Sequence, residues 1–309
     1  MNKHTLTLLD GSSKEVRIPA ETLTALITAI LDGARLATRF AVEGRSTRSG
    51  PRPAWLDAAC RIEVTGLEAG STVLKLEAPV LEEVAPERFP GKLGDSPGER
   101  AGVSSVDLFA QVLNSALTGP ANRIDADRAL LESCVRFGQI AEEAGGDLRL
   151  EGLTLPRKNK IVVSRTDIPR LEILRDQTPP PRTVRFSAQL DTISANRAEV
   201  TLMADGHKVP AHLEEHDREQ LVELFGKQVV VSGIARFSPS GRVLLIDAEY
   251  LGEARPTDAV FSRVPDAGVW RQSLLMESQA SGYGAASLFG TWPGEESDAE
   301  LMASLEALG

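Results

Sequence analysis

Short runs in which apolar and polar residues alternate flank a long helical pattern at the start of the chain. Alternation over His4–Leu9, the dipeptide Asp10-Gly11 and a return over Glu15–Ile18 predict a β-hairpin. Apolar residues spaced three and four apart from Glu21 to Val42 predict one long helix with a single buried stripe. A second pair of alternating runs between residues 61 and 76 predicts another hairpin, so this part of the chain is expected to form a small α+β unit.

Two further helices are indicated between residues 104 and 146. Their apolar residues recur at helical spacing, and the second pattern stops at Gly145-Gly146, a common helix terminator. Short strands are predicted at Leu148–Leu150 and Ile161–Val163. The stripe residues are Val106, Phe109, Val112, Leu113 and Ala116 in the first helix and Leu130, Leu131, Cys134, Val135 and Ala141 in the second.

Residues 183–254 contain five alternating runs interrupted by one short helical pattern. Asp205-Gly206 and Ser238–Gly241 are turn sequences between such runs. The order of three strands, a helix and two strands is that of an OB-fold barrel. The predicted elements are strands Val184–Leu190, Ala198–Met203 and Lys208–Leu213, helix Glu215–Phe225, and strands Lys227–Phe237 and Arg242–Leu251.

These patterns predict an α+β protein with three parts. The first is an N-terminal α+β domain over 1–176. The segment around residue 90 is rich in Pro and Gly, as loops are, so this domain could consist of two sub-units, 1–85 and 104–176. Gln177 and the proline run after it are expected to form a stiff linker. The OB-like β-barrel follows at 183–254, and 255–309 is expected to be a flexible tether ending in an amphipathic, partner-binding helix.

Composition narrows the functional classes. The 309 residues carry 44 acids and 34 bases, a net charge of -10, which argues against a general nucleic-acid coat. The N-terminus lacks the apolar core of a secretory signal, and no apolar run is long enough to cross a bilayer, so a cytoplasmic protein without a membrane segment is expected. Cys60 and Cys134 lie in apolar surroundings and are predicted to be buried, reduced thiols.

No catalytic, metal or cofactor motif is found in the sequence. His207, His212 and His216 lie close together, but His207 and His212 are five apart on a predicted strand and therefore face opposite sides. Metal ligands must converge on one point, so no metal site is predicted. Nucleophile elbows, phosphate loops and paired Cys motifs are also missing from the sequence, and a non-enzymatic protein without a cofactor is expected.

Arginines are concentrated at the end of the first long helix. Between Arg35 and Arg52 there are five arginines and one acid, and two of them share a helix face. In one interpretation, these arginines lie in solvent at the C-terminal end of the helix, where the helix dipole stabilises positive charge. The other is a contact for phosphate or nucleic acid, or a docking site for an acidic peptide, including the tail of this chain. The arginines of this segment are Arg35, Arg39, Arg45, Arg48 and Arg52.

Two more arginines, Arg236 and Arg242, flank the last turn of the predicted barrel and could form a small basic tip. Acids outnumber bases across the barrel, and its strands carry few aromatic residues. Sites for single strands usually combine a positive groove with aromatic platforms. A scaffold or protein-docking barrel is therefore the leading interpretation, with nucleic-acid binding as the alternative.

The last 22 residues have an unusual composition for a chain end. A turn-prone segment with Trp292 and Pro293 precedes Ser297 and Glu300, which have the spacing of a capping box. Leucines then recur at one helix face. A helix of this length is marginal alone in water, so we expect its apolar stripe to be buried against a surface. The stripe consists of Leu301, Leu305 and Leu308.

The run from Leu288 to Leu301 resembles the LFG-WPGDE-type tail of small bacterial antitoxin-like proteins that are paired with PIN-domain ribonuclease toxins. The resemblance implies a protein whose tail binds and occludes a PIN-type nuclease. Glu295, Glu296 and Asp298 would then meet the metal or the basic rim of that nuclease. The implied partner-binding residues are Leu288, Phe289, Trp292, Pro293, Glu295, Glu296, Asp298, Leu301, Leu305 and Leu308.

Three functions follow from these features. The first is a non-enzymatic, antitoxin-like protein whose C-terminal tail binds a PIN-domain toxin. The second is a single-stranded nucleic-acid-binding module that uses the OB-like barrel and the Arg35–Arg52 segment. The third is a structural or regulatory protein whose tail docks on its own body.

Overall fold

The structure is a computed structural model that describes residues 1–9, 19–68, 72–89, 102–155, 158–194, 199–213 and 218–255. All of these residues belong to one compact unit. The unit contains two large hydrophobic cores, one within residues 6–174 and one within residues 186–251, and the two parts of the chain that form them are called the N-terminal domain and the second domain below. The segment Glu15–Ile18, His216 and residues 256–309 with the capped helix lie outside the described residues. The predicted hairpin between His4–Leu9 and Glu15–Ile18 is wrong, because the first strand of the chain pairs with residues 72–78 along one edge and with residues 147–151 along the other.

A five-stranded antiparallel sheet forms the base of the N-terminal domain. Its order is β2-β3-β1-β4-β5, with the first strand of the chain in the centre. Leu6 pairs with Leu74 on one side and Leu150 on the other, so a row of buried leucines crosses the sheet. The strands are β1 (Asn2–Leu9), β2 (Glu63–Glu68), β3 (Thr72–Ala78), β4 (Asp147–Leu155) and β5 (Lys158–Val163).

Three long helices cover this row of leucines, because each buries one apolar stripe. The long helix predicted over 21–42 is observed as α1, and both predicted helices between 104 and 146 are present with their stripes buried or half-buried. The helices are α1 (Ala20–Glu43), α2 (Ala54–Ala59), α3 (Leu81–Val84), α4 (Ser105–Thr118), α5 (Arg128–Glu143) and α6 (Ile168–Gln177).

Close packing joins these helices. The rings of Phe109 and Phe137 meet edge to face with centroids 5.7 Å apart, and the absent side chain of Gly33 leaves room for Phe109. Cys60 and Cys134 are free and buried, as predicted. Burial raises the pKa of both thiols, that of Cys134 to about 12.

The region before the predicted linker holds a helix that the sequence patterns did not indicate. Helix α6 buries only Ile168, Leu171 and Leu174, while Ile173 is exposed, so its apolar stripe is too short to stand out. It packs against α5, and this contact stabilises a helix whose own pattern of apolar residues is weak.

The second domain is a closed five-stranded barrel with the predicted OB-like topology. Its strand order is β10-β8-β7-β6-β9; β10 runs parallel to β8 and the other pairs are antiparallel. Helix α7 (Arg218–Leu224) lies between the third and fourth strands. The strands are β6 (Arg182–Ile193), β7 (Glu199–Ala204), β8 (His207–Leu213), β9 (Gln228–Phe237) and β10 (Val243–Glu253).

Local sequence explains two features of the barrel. Asp205 and Gly206 both have positive φ, 48° and 74°, which suits the two-residue hairpin between β7 and β8. At Gly233 a Cβ atom would lie 2.1 Å from the carbonyl oxygen of Asp247, so only glycine allows β9 and β10 to approach this closely. None of the described helices is long and apolar enough to cross a membrane.

Candidate anion-binding cleft

The segment that follows α1 joins the two domains through a buried arginine. Arg45 is only 3% exposed, and its Nε lies 3.1 Å from Glu43 Oε2. Its Nη1 forms an ion pair with Asp247 on β10. The same carboxylate accepts a hydrogen bond of 3.0 Å from Arg236 Nε on β9. Two arginines from different domains therefore share one acid.

The next two residues continue this attachment. Ser46 donates to Asp127 twice, from its backbone nitrogen at 2.8 Å and from Oγ at 2.6 Å. Thr47 Oγ1 accepts a hydrogen bond of 3.1 Å from Arg236. Arg45 and Thr47 therefore contact the barrel, and Ser46 between them contacts the start of α5.

This attachment occupies part of the barrel surface. OB barrels commonly bind oligonucleotides over strands two and three and the loops next to them. Here Arg45 lies near His212 of β8, and Arg242 in the last barrel turn pairs with Asp125 of the N-terminal domain. Burial and then the charge of Arg45 lower the pKa of His212, while Asp247 opposes them. These contacts hold the segment that follows α1 against the barrel.

A cleft of about 390 Å³ opens between α1, the loop after it, α2 and α5. Its lining includes five arginines but only two acids, Asp32 and Glu132. The excess of three positive charges lies on a chain whose net charge is -10. The five residues, called the arginine cleft below, are Arg35, Arg39, Arg48, Arg52 and Arg136.

The two arginines of α1 are the least exposed of the five. Arg39 is 6% exposed, and it makes no hydrogen bond or ion pair with another residue of the described ranges. Arg35 lies one turn earlier; its Nη1 is 3.6 Å from Asp32, whereas its Nε is buried without a hydrogen-bond partner in the described structure. Donors are therefore in excess at the floor of the cleft.

The other lining charges lie nearer to solvent. Arg52 is half-exposed, with Nε 3.8 Å from Asp57, and Arg48 and Arg136 are exposed. The charge of Glu132 is balanced by a residue outside the lining, because its Oε2 lies 3.3 Å from Arg175 Nη1. The cleft thus keeps its positive character even where an acid lines it.

The structure brings four of the five predicted arginines together in this cleft. Arg45 turns away into the domain junction, and Arg236 and Arg242 form ion pairs there as well. Sequence reasoning missed Arg136, which comes from α5. Its only sequence signal is a position on the polar face of a predicted helix, and nothing in the sequence places that helix beside α1.

A smaller cleft of about 250 Å³ continues from the arginine cleft to the barrel. The two share Thr47, Ala129 and Glu132. The smaller cleft adds two arginines, Arg128 and Arg236, and has an apolar wall. The wall consists of Pro179, Pro181 and Phe237.

His207 and His212, the two members of the predicted histidine group that the structure describes, do not form a site. His207 is exposed, with Nδ1 2.9 Å from the carbonyl oxygen of Asp205, and His212 is half-buried on β8. In the part of the chain that the structure describes, no three His, Cys, Asp or Glu side chains are placed to hold a metal ion.

A buried His–Ser–Asp group went unnoticed in the sequence. His4 Nε2 lies 2.9 Å from Ser104 Oγ, which donates to Asp107 at 2.8 Å. Ser104 and Asp107 also form the capping box of α4. None of the three side chains is more than 1% exposed, so this group joins β1 to α4 and offers no access to a substrate.

Comparisons with protein-family models, with curated proteins and with solved structures each found no match for this chain.

Proposed function

We propose that this chain is a non-enzymatic binding protein that holds single-stranded nucleic acid along the arginine cleft. The observation that carries the proposal is the convergence of five arginines from α1, the loop after it and α5 on one concave surface. Arginine forks match phosphate oxygens, and phosphate contacts supply most of the affinity in such complexes.

The shape of the surface favours a single strand. A cleft of about 390 Å³ has room for a short stretch of one sugar–phosphate backbone. Its continuation past Thr47 would lead the strand towards Arg128 and Arg236 at the barrel. Among the described residues that line the arginine cleft, none is aromatic, so backbone recognition with little sequence preference is expected.

The test is a salt titration. A fluorescent single strand of about 12 nucleotides is titrated with the full chain, and anisotropy is followed from low to high KCl. For single strands each phosphate contact contributes about -0.7 to the slope of log K against log salt, so five arginines predict a slope of about -3.5. The double variant R48A/R136A should reduce the slope by about 1.4.

Arg165 supplies the matched control. It is an exposed arginine outside both clefts, paired with Glu142 at 2.8 Å, so R165A should bind as the unaltered chain does. Absence of binding at low salt, or a slope near zero, would refute nucleic-acid binding at this cleft.

A second proposal concerns the tail and rests on its resemblance to antitoxin tails. According to this proposal, Phe289 and Trp292 anchor the tail on a PIN-domain ribonuclease, and the bound tail blocks the active site of that nuclease. Deleting 286–309 should abolish capture of such a nuclease while leaving the cooperative unfolding of residues 1–255 unchanged. Undiminished capture by the truncated chain would refute this proposal. In a full chain whose Trp55 and Trp270 are replaced by Phe, a blue-shifted emission of Trp292 in the absence of a partner would favour a self-docking tail instead.

A further inference from the structure

We infer that the floor of the arginine cleft is a discrete phosphate site built around Arg39, which binds the free tetrahedral anion as well as a phosphate within a polymer. The inference rests on the same cleft as the proposed nucleic-acid binding and names the chemical group that its deepest part recognises.

The first step is the burial of Arg39. A guanidinium that is 6% exposed has lost most of its hydration, and a buried charge is tolerated when a counter-charge or a hydrogen-bond acceptor replaces the water. The two acids that line the cleft already have partners, because Asp32 forms an ion pair with Arg35 and Glu132 forms one with Arg175. In the described ranges no acid lies within ion-pair distance of Arg39, whereas the cavity that it lines is open to an external anion.

The second step is the placement of donors around that cavity. Arg35 and Arg39 are four residues apart on α1 and therefore present their side chains on the same helix face. Arg48 and Arg52 come from the loop, and Arg136 and Ser133 come from α5 on the opposite wall. The donors thus approach from three sides.

Donors on three sides favour phosphate over carboxylate. A carboxylate has two oxygens in one plane, and a single guanidinium fork can satisfy both of them. Phosphate presents oxygens in a tetrahedral arrangement and carries up to two charges near neutral pH. It can therefore accept hydrogen bonds from α1, the loop and α5 at once, and its charge offsets most of the local positive excess.

The experiment follows thermal unfolding of the full chain in orthophosphate and pyrophosphate against KCl at equal ionic strength. An anion that binds the folded state raises the unfolding midpoint as its concentration rises. We expect phosphate and pyrophosphate to raise the midpoint and KCl to leave it unchanged. Equal effects of all three salts would overturn the proposal.

The deciding variant is R39M. Methionine keeps the length and apolar contacts of the arginine stem but removes the charge. For a ligand-binding arginine we expect the phosphate-induced shift to disappear, while the midpoint in phosphate-free buffer stays the same or rises. A lower phosphate-free midpoint together with an unchanged phosphate shift would show that Arg39 is structural and would overturn the proposal.

Two further variants complete the design. R39K keeps the charge but not the planar fork, so it should fold and bind phosphate about tenfold more weakly even if R39M does not fold. R165M removes the exposed arginine outside the clefts and should keep the full phosphate shift. Phosphate binding without strand binding would refute only the proposed function; strand binding without a phosphate shift would refute only this inference.

Discussion

Asp127 holds Ser46 by two hydrogen bonds, one of 2.8 Å from the backbone nitrogen and one of 2.6 Å from Oγ. The same carboxylate caps α5 by accepting from the backbone nitrogen of Leu130 at 3.0 Å. Because Asp127 is 3% exposed, these bonds are shielded from water. One side chain therefore sets the position of the arginine-bearing loop relative to α5, the opposite wall of the arginine cleft.

Replacing Asp127 should loosen both the helix and the cleft. D127A removes a helix cap, at a cost of about 1 kcal/mol, and leaves two buried donors of Ser46 without acceptors, at a further cost of about 1–3 kcal/mol. Urea denaturation should report this loss, and the phosphate-induced shift should weaken. Asp167 accepts two hydrogen bonds from Ser164 in another capping box, so D167A should cost stability without altering the shift. Loss of the shift in both variants would contradict this role of Asp127.

Removing the shared acid at the domain junction should lower the free energy of unfolding strongly. D247A removes the carboxylate that joins Arg45 and Arg236, and breaking a buried ion pair typically costs about 3–5 kcal/mol. The double variant R45M/D247A also removes the buried cation, so we expect it to be more stable than D247A alone. Urea denaturation of four chains, namely the unaltered chain, R45M, D247A and R45M/D247A, gives the coupling energy between the two residues.

A surface pair provides the comparison for this prediction. Lys227 Nζ lies 3.6 Å from Glu253 Oε2 on an exposed part of the barrel. Such pairs contribute about 0–1 kcal/mol, so E253A should hardly change the denaturation midpoint. Equal losses in D247A and E253A would mean that the junction does not stabilise the fold.

Acid should destabilise the chain through His4. Burial lowers the pKa of His4 below its usual 6.5, although Asp107 and the backbone of Gly152 act in the opposite direction. The unfolded chain therefore binds more protons than the folded chain as pH falls below about 6.5, and the free energy of unfolding decreases there. Above that pH the contribution of neutral His4 is complete.

Denaturation midpoints measured from pH 7.5 to 5 should show this decrease. H4Q removes the titrating group but can still donate to Ser104, so its midpoint should fall less steeply. Some slope remains, because the pKa of His212 is lowered too. H207Q alters an exposed histidine and should keep the full slope. A slope unchanged by H4Q would assign the acid sensitivity to other groups.

Gly33 should tolerate no larger residue. A Cβ at this position would lie 2.5 Å from the Phe109 ring, which cannot move freely because it packs edge to face on Phe137. Overpacking of this kind costs about 1–3 kcal/mol and should outweigh the gain of about 1 kcal/mol from alanine in a helix. At Gly66 the nearest atom would be 3.7 Å away, so G66A should change the urea midpoint far less than G33A.

Most of the architecture followed from local patterns. The spacing of apolar residues predicted α1, α4 and α5, and strand alternation with turn sequences predicted the order of the barrel elements. These features depend on residues that are close in sequence, since each helix or strand needs only its own apolar face. Helix α6 was missed because its short stripe depends on contact with α5.

The arginine cleft illustrates the limit of such reasoning. Clustering in the sequence singled out Arg35, Arg39 and their neighbours, but it treated Arg45 as one of the same set. Tertiary structure separated them: α1 turns Arg39 towards α5, whereas Arg45 lies against Asp247, 202 residues further along the chain. The sequence by itself determined the elements and the local density of charge. Only packing between distant segments decided which charges neutralise each other and which face an open cleft, because Coulomb interactions depend on distance in space and on burial.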